Sequence, residues 1–339
     1  MIGFRRGLAT LALALLAAGP TFAARRAPST IALPGGEGGV GLDDLGYSPA
    51  LGCVLVPAGR TGRLDLVDPA TGKVVEIPGF SAREGFSGRH DVGITSVTEG
   101  AGLLFVTDRT ALRLFVVDPA TRSIVGETAL GASPDYVRWL EAGRELWVTE
   151  PDSQRIEIFR LEAGPPPQLT AVSTIPTAGG PESLVFDPRR RRAYTHLASW
   201  TVAFDTRTHR VLASWPNGCA GATGIALDVE CGFLFVACAE GKVAALDVRT
   251  GKTLGALPAG GGIDIIAYDP ERRHLYVPSA RTAKLAIVGV SPRGALTLLG
   301  TYPGAAASHC VAARGKVYVA DPARGRLLVI ADPFPVSAP

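Results

Sequence analysis

Short apolar runs separated by turn-forming residues recur along the whole chain. In the clearest unit, residues 223–257, such runs cover residues 224–227, 233–237, 242–247 and 253–257. Each gap between these runs is short and contains glycine or polar residues, which favour tight turns. The unit therefore predicts four short β-strands in an antiparallel meander.

The second apolar run of this unit carries the pair Phe235-Val236, and six similar pairs occur elsewhere. They are Leu55-Val56, Phe105-Val106, Trp147-Val148, Tyr194-Thr195, Tyr276-Val277 and Tyr318-Val319. Successive pairs lie 50, 42, 47, 41, 41 and 42 residues apart. A period in the low forties with four strands per repeat is typical of β-propeller blades. The sequence thus predicts an all-β fold, a seven-bladed β-propeller of four-stranded antiparallel blades.

The two ends of the chain are predicted to share one blade. The last repeat supplies only three strands, whereas residues 30–34 resemble the fourth strand of the other blades. An N-terminal strand that completes the last blade closes the ring and removes free sheet edges. Residues 24–339 then form a single domain. The predicted blades span residues 43–80, 91–131, 135–178, 182–217, 223–258, 264–303 and 308–330 with 30–34.

Residues 1–23 have the pattern of a secretory signal peptide. Arg5 and Arg6 precede an apolar run over residues 8–18, and small residues stand just before a cleavage point ahead of Ala24. This run is shorter than the roughly 20 residues that a membrane-spanning helix needs, and no second long apolar run follows it. We therefore expect an exported protein, periplasmic or secreted, without a membrane span.

Composition and charge narrow the function classes. Hydrophobic residues make up 47% of the chain and charged residues only 19%, which fits blades buried on both faces. The net charge of +3 falls to +1 without the two leader arginines, too little for a nucleic-acid footprint. Motifs for covalent haem, a nucleophile elbow, a zinc protease helix and a phosphate loop do not occur in the sequence. We expect a monomer that binds a small molecule or a periplasmic protein.

Acidic residues recur where the innermost strands of the blades should begin. Five blades carry an acid at or near this position: Asp43, Asp91, Asp135, Glu182 and Asp264. In blade 2, His90 stands next to Asp91, and blade 7 has His309 at the position of the acid. Carboxylates that converge on one axis must share protons, attract a cation or be neutralised by basic partners. This predicts a cation site at Asp135, Glu182 and Asp264, with Ca²⁺ as the candidate ion, or a pocket for a cationic or polyhydroxylated ligand. The alternative is a water-filled channel whose acids cap strand ends and loop amides.

A basic residue recurs at the start of the third strands, which should border the same face. The set is Arg63, Arg113, Arg155, Lys242, Lys284 and Arg326. Blade 4 has Trp200 at this position, which makes Trp200 a candidate stacking platform for a ligand. Packing of Trp200 on the next blade is the alternative.

Three of the histidines, His90, His196 and His309, fall on the candidate face. With nearby carboxylates they could hold a transition metal, although they come from three different blades. His90 or His309 could also serve as the base of a metal-assisted hydrolase or lactonase. His209 and His274 are expected in solvated turns on the opposite face.

Five cysteines occur in this exported chain, where disulfides are permitted. Cys219 lies ahead of blade 5 and Cys238 ends the second strand of that blade, so both approach the same face. We predict a Cys219–Cys238 disulfide. Cys53 and Cys310 belong to adjacent blades but to opposite ends, and we expect them to be free, packed thiols.

The paired residues described above, together with turns such as Asp68-Pro69-Ala70-Thr71-Gly72, resemble those of the YVTN-repeat propellers, a mostly bacterial and often exported group. The resemblance extends over nearly all of residues 24–339, but the motif asparagine is replaced in VTD, VTE and VAD. It implies a binding or interaction platform, with lactonases and lyases as a minority. We therefore predict a non-enzymatic platform that binds its ligand or partner at the acidic end of the channel. The metal-assisted hydrolase or lactonase on the same face is the alternative.

Overall fold

The computed structural model describes residues 27–336, which form seven four-stranded antiparallel sheets. Blades 1 to 3 contain β2 (Gly46–Ser48), β3 (Cys53–Pro57), β4 (Thr61–Val67) and β5 (Val74–Ala82), then β6 (Ile94–Gly100), β7 (Leu103–Asp108), β8 (Arg113–Asp118) and β9 (Ser123–Ala129), then β10 (Val137–Leu140), β11 (Glu145–Glu150), β12 (Arg155–Leu161) and β13 (Leu169–Pro176). Blades 4 to 6 contain β14 (Val185–Asp187), β15 (Arg192–Leu197), β16 (Trp200–Asp205) and β17 (Val211–Pro216), then β18 (Ala222–Asp228), β19 (Phe233–Cys238), β20 (Lys242–Asp247) and β21 (Thr253–Pro258), then β22 (Ala267–Asp269), β23 (His274–Ser279), β24 (Lys284–Val290) and β25 (Leu296–Pro303). Blade 7 contains β26 (Val311–Arg314), β27 (Lys316–Asp321), β28 (Arg326–Ile330) and β1 (Ser29–Ala32). The predicted seven-bladed, all-β architecture is confirmed.

The ring is closed by the N-terminal strand, as the sequence indicated. β1 pairs antiparallel with β28, from Ser29 opposite Val329 to Ala32 opposite Arg326. The Leu33 amide then donates to the carbonyl of Gly325 at 3.0 Å. The predicted signal peptide lies outside the described residues.

Helical structure within residues 27–336 is limited to three short 3₁₀ turns, Glu141–Gly143, Pro151–Ser153 and Pro322–Arg324. In that part of the chain, no helix has the length and apolar character that crossing a membrane requires.

The repeated aromatic positions form the core between blades. Every residue of β11 and β19 is buried, because second strands lie between two neighbouring blades that stack face to face. The most deeply buried large side chains include Phe105, Trp147, Tyr194, Phe235, Tyr276 and Tyr318. At roughly 2–3 kcal/mol for each large apolar side chain removed from water, this repeated burial stabilises the ring.

The predictions for four of the cysteines agree with the structure. Cys219 and Cys238 form a disulfide with Cα atoms 5.4 Å apart, and Cys53 and Cys310 are free and buried.

His274 and His209 are not the solvated turn residues that the sequence indicated. His274 is fully buried, and its Nδ1 lies 2.6 Å from Asp332 because the segment after β28 folds back over blade 6. His209 Nε2 lies 3.0 Å from Glu145 Oε2, which couples the turn of blade 4 to blade 3. Contacts between distant segments thus withdraw both side chains from water.

Candidate functional site

The connections that enter the innermost strands meet at one end of the central channel, here called the mouth. The connection between β5 and β6 is the long one, and it reaches over the start of blade 1. A Cβ on Gly41 would lie 2.3 Å from the Arg89 carbonyl oxygen and 2.7 Å from the Cα of His90. Only glycine leaves room for this backbone contact, which sets His90 over the residues that precede β2.

Four side chains from separate parts of the chain converge at the mouth. Asp43, His90, Asp264 and His309, here called the mouth cluster, each offer one ligand atom, and these atoms all lie within 4.8 Å of one another. The rings of His90 and His309 have their centroids 4.7 Å apart. Of these side chains, His90, Asp264 and His309 line a cavity of about 350 Å³. The structure therefore brings together two of the three histidines proposed from the sequence as metal ligands.

Two polar atoms of the mouth cluster are buried without a hydrogen-bond partner among residues 27–336. They are Asp43 Oδ2 and His309 Nε2. The Asp43 oxygen lies 3.9 Å from His90 Nε2 and 3.6 Å from Arg109 Nη2, beyond hydrogen-bond distance. The other ring nitrogen of His309, Nδ1, lies 2.9 Å from the Ala307 carbonyl oxygen. A proton on Nδ1 satisfies that contact and leaves Nε2 with a free lone pair.

Arg109, directly after β7, holds the mouth together and was missed in the sequence analysis. Its guanidinium donates to Asp135 at 2.8 Å and to the carbonyls of Pro134 at 3.0 Å and His90 at 3.2 Å. It therefore fixes both the acid ahead of β10 and the backbone of the connection that carries His90. The acids, histidines and bases that recur in the sequence stand at the starts of innermost and third strands, and an arginine directly after a second strand falls outside these patterns.

Burial and mutual repulsion raise the proton affinity of the mouth carboxylates. Burial, then Asp43, raises the pKa of Asp135 well above its ordinary value, against the opposing effect of Arg109. The same two causes raise the pKa of Asp264 to about 7, and burial is the main cause of the raised pKa of Glu182. The charge of His90 is favoured by Asp43, but burial and the nearby positive groups outweigh this and lower its pKa. Protonation or a bound cation would relieve this repulsion.

A second pair of charged residues, Asp44 and Arg138, lies next to the mouth, and their opposite charges cancel. Arg138 donates to both oxygens of Asp44, at 2.5 and 2.9 Å, and Ser96 donates to the same carboxylate at 2.5 Å. With its charge compensated by Arg138, Asp44 is not available as a free acid or ligand.

The remaining predicted site residues are spread around the mouth. Asp91 lines the cavity and lies 3.7 Å from Arg89. Glu182 and Trp200 are not among the residues that line this cavity, and Trp200, 47% exposed, begins β16.

His196 does not present its side chain to the mouth, contrary to the prediction from the sequence. It is fully buried within β15, and its Nδ1 lies 2.9 Å from the Thr201 hydroxyl. Burial lowers its pKa to about 3, so the imidazole is neutral at physiological pH. The strand extends to Leu197, and this places the His196 side chain in the interior.

In the described part of the chain, five of the six basic residues at the third strands, all except Lys284, pair with acids of their own blades. The pairs are Arg63 with Glu76 at 3.1 Å, Arg113 with Glu127 at 3.8 Å, Arg155 with Glu150 at 2.5 Å, Lys242 with Glu240 at 3.5 Å and Arg326 with Asp321 at 2.7 Å. These local pairs do not involve the acids of the mouth. Arg109 rather than the outer bases compensates the mouth carboxylates.

Comparisons with known proteins identify the fold. No protein-family model matches the chain, and no curated protein matches it. A chain of a mitotic checkpoint complex structure aligns with a TM-score of 0.75 and 15% identity, over 97% of this chain and 99% of that chain. A chain of Kuenenia stuttgartiensis hydrazine synthase gives 0.70 and 15%, over 87% and 96%. The β-propeller domain of Myceliophteria thermophila Cps50 (Swd1) gives 0.71 and 12%, over 91% and 99%. At these identities the likeness shows only that the chain is a β-propeller. Its function has to be inferred from the site.

Proposed function

We propose that the protein is an exported β-propeller that acts as a binding platform and takes a positively charged ligand at its mouth. The observation that carries this proposal is the mouth cluster: two carboxylates and two imidazoles converge there, and three of these side chains, His90, Asp264 and His309, line a cavity of about 350 Å³. That volume lies at the lower end of the range for small-molecule sites, about 300–1,000 Å³.

The electrostatics of the mouth support a cationic ligand. The pKa values of Asp264 and Asp135 are raised because both carboxyl groups are buried and lie near the negative charge of Asp43. A bound positive charge would let both ionise without that repulsion. An anion at the same place would be repelled by the carboxylates. Arg109 would not neutralise the anion, because it already donates to Asp135.

Two further observations support a platform and export. β-Propellers commonly serve as platforms for other proteins, and one chain similar to this one is part of a mitotic checkpoint complex structure. The cation could therefore be a free molecule or a basic side chain of a partner. The Cys219–Cys238 disulfide fits an oxidising compartment, in agreement with the leader-like pattern of residues 1–23.

Thermal melting at low ionic strength tests this proposal. We expect Ca²⁺, Zn²⁺ or spermidine to raise the melting temperature of the wild-type protein, since a ligand at about 100 times its Kd adds about 2.7 kcal/mol. Glucose and citrate serve as neutral and anionic controls. Asp264→Asn should reduce the gain, whereas Glu230→Gln, which alters an exposed acid paired with Arg189 away from the mouth, should keep it. If no cation stabilises the wild type more than Asp264→Asn, the proposal fails.

A second candidate, the metal-assisted hydrolase or lactonase, is favoured by one observation. His90 and His309 have ring centroids 4.7 Å apart and line the same cavity, so one could accept a proton while a cation polarises an ester carbonyl. Hydrolysis of p-nitrophenyl acetate and γ-butyrolactone by wild type, His90→Gln and His309→Gln tests it. Equal rates for all three proteins would eliminate this candidate.

A further inference from the structure

We infer that the mouth cluster binds a divalent first-row transition metal ion of the Zn²⁺ type, with Asp43, His90, Asp264 and His309 as its protein ligands. This inference rests on the proposed function, because it names the cation that the mouth takes. It differs from the Ca²⁺ site expected from the sequence at Asp135, Glu182 and Asp264, both in its ligands and in its ion.

The donor set selects the class of metal. Two imidazole nitrogens and two carboxylate oxygens are typical ligands of Zn²⁺ and also suit Co²⁺ and Ni²⁺. Ca²⁺ and Mg²⁺ prefer sites made of oxygen donors alone. The two histidines therefore favour a transition metal over Ca²⁺.

The distances suit a site that closes on its ion. A tetrahedral Zn²⁺ with bonds of about 2.0 Å has ligand atoms roughly 3.3 Å apart. The four candidate atoms of the mouth cluster lie within 4.8 Å of one another. Small side-chain rotations, without movement of the blades, would bring them to bonding distance.

The orientation of His309 is that of a metal ligand. Metal-binding histidines commonly donate their second ring N–H to a carbonyl or carboxylate, which fixes the tautomer. His309 Nδ1 makes this contact with the Ala307 carbonyl at 2.9 Å, and Nε2 is buried with no hydrogen-bond partner within the described part of the chain. Asp43 is only 4% exposed, and its Oδ2 is likewise buried without a hydrogen-bond partner among the described residues. A bond to a metal would satisfy both atoms.

Arg109 supports the mouth cluster without occupying it. Its Nη2 donates to Asp135 at 2.8 Å but lies 3.6 Å from Asp43 Oδ2. Its Nη1 donates to the backbone carbonyl of His90 at 3.2 Å, which positions that residue and leaves its imidazole free. Asp135 accepts the hydrogen bond from Arg109 and is not one of the four residues whose ligand atoms converge.

This metal site also separates the two candidate functions. A metal held by both imidazoles leaves neither His90 nor His309 as a free base. The hydrolase mechanism in which one of them accepts a proton is then excluded.

The experiment is a metal titration of the purified protein after removal of metals with a chelator. We expect one Zn²⁺ per chain by calorimetry, and intense visible absorption from Co²⁺ in a site of low coordination number. Excess Ca²⁺ should not displace Zn²⁺. His309→Ala and Asp264→Asn should each weaken Zn²⁺ binding at least about 100-fold, because outer-shell changes alone cost about 10–100-fold.

Glu182→Gln is the matched control, because Glu182 is a mouth acid outside the cluster. It should change Zn²⁺ affinity far less than Asp264→Asn does, since it removes a neighbouring charge but no ligand atom of the cluster. Equal weakening by Glu182→Gln and Asp264→Asn would overturn the metal site, although the acidic mouth would remain a cation-binding surface. An unchanged Co²⁺ spectrum in both His309→Ala and His90→Ala would also overturn it. Circular dichroism of each variant verifies that it is folded.

Discussion

Asp65 is a buried acid whose ionisation should destabilise the fold. It lies in β4 opposite Val56, a residue of the core shared with blade 7. Neither of its carboxylate oxygens has a hydrogen-bond partner within residues 27–336. Burial, then repulsion from Glu76, raises its pKa from 3.8 to about 7, while Arg63 opposes the change. Replacement by asparagine removes the ionisable group at nearly constant volume.

The expected effect follows from the two pKa values. The folded state binds a proton at Asp65 up to about pH 7, whereas the unfolded state releases it near pH 3.8. At about 1.36 kcal/mol per pKa unit, ionisation in the folded state costs about 4 kcal/mol. Stability of the wild type should therefore fall between about pH 4 and pH 7, and the full cost applies above pH 7. Asp65→Asn should lack this loss.

Urea unfolding at several pH values, with the disulfide kept intact, measures this difference. At pH 8 we expect Asp65→Asn to be more stable than wild type by about 4 kcal/mol. With an m-value of about 3 kcal/mol per molar, the midpoint would rise by more than about 1 M urea. At pH 4 the two proteins should have nearly equal stability, because Asp65 is then protonated in the folded state.

The control is Asp68→Asn in the same blade. Asp68 is only partly buried, and hydrogen bonds from the Ala70 and Thr71 amides lower its pKa. Its replacement should reduce stability at pH 8, the opposite direction from Asp65→Asn. Parallel pH profiles for wild type and Asp65→Asn between pH 4 and pH 8 would refute the reasoning.

Two further substitutions test contacts that position the site and the tail. A Cβ at Gly224 would lie 1.7 Å from the Asp264 carbonyl oxygen, whereas one at Gly221 meets only an atom at 3.8 Å. Gly224→Ala should therefore cost more than about 2 kcal/mol by overpacking, and equal melting temperatures for Gly224→Ala and Gly221→Ala would contradict this. Burial would raise the pKa of Asp332, but hydrogen bonds led by that with His274 outweigh it and lower the pKa. Asp332→Asn should cost about 2–4 kcal/mol at pH 7, and the difference should shrink as the pH falls through the folded pKa of Asp332; a constant difference in melts would contradict it.

The blades could be predicted from the sequence because their information is local. Phe235 and its six counterparts mark buried second strands at a nearly constant interval, and a β-strand repeats its burial pattern over a few residues. The closing strand was also predictable, since residues 30–34 have the character of a fourth strand and the last repeat lacks one. The strand observed, Ser29–Ala32, lies within one or two residues of that range.

The residues near the mouth were predicted individually, but their grouping was not. The starts of innermost strands identified Asp43, Asp264 and His309, because equivalent positions of a closed ring must face one axis. Nothing in the sequence indicated that Arg109 would join the loops, since an arginine after a second strand has no local signature. Nor could it show that His196 is buried, because His196 was expected just past the second strand of blade 4, whereas β15 continues to Leu197.

The sequence by itself determined the number of blades, the strands of each blade and the closure of the ring, because these depend on short-range patterns of apolar residues and turns. Only the tertiary structure decided which polar side chains meet. Asp43 and His309 lie near opposite ends of the chain, and His90 reaches them through a connection packed on the backbone of Gly41. Such contacts depend on the path of loops in a closed ring, and that path is set by long-range packing rather than by the residues of the loop alone.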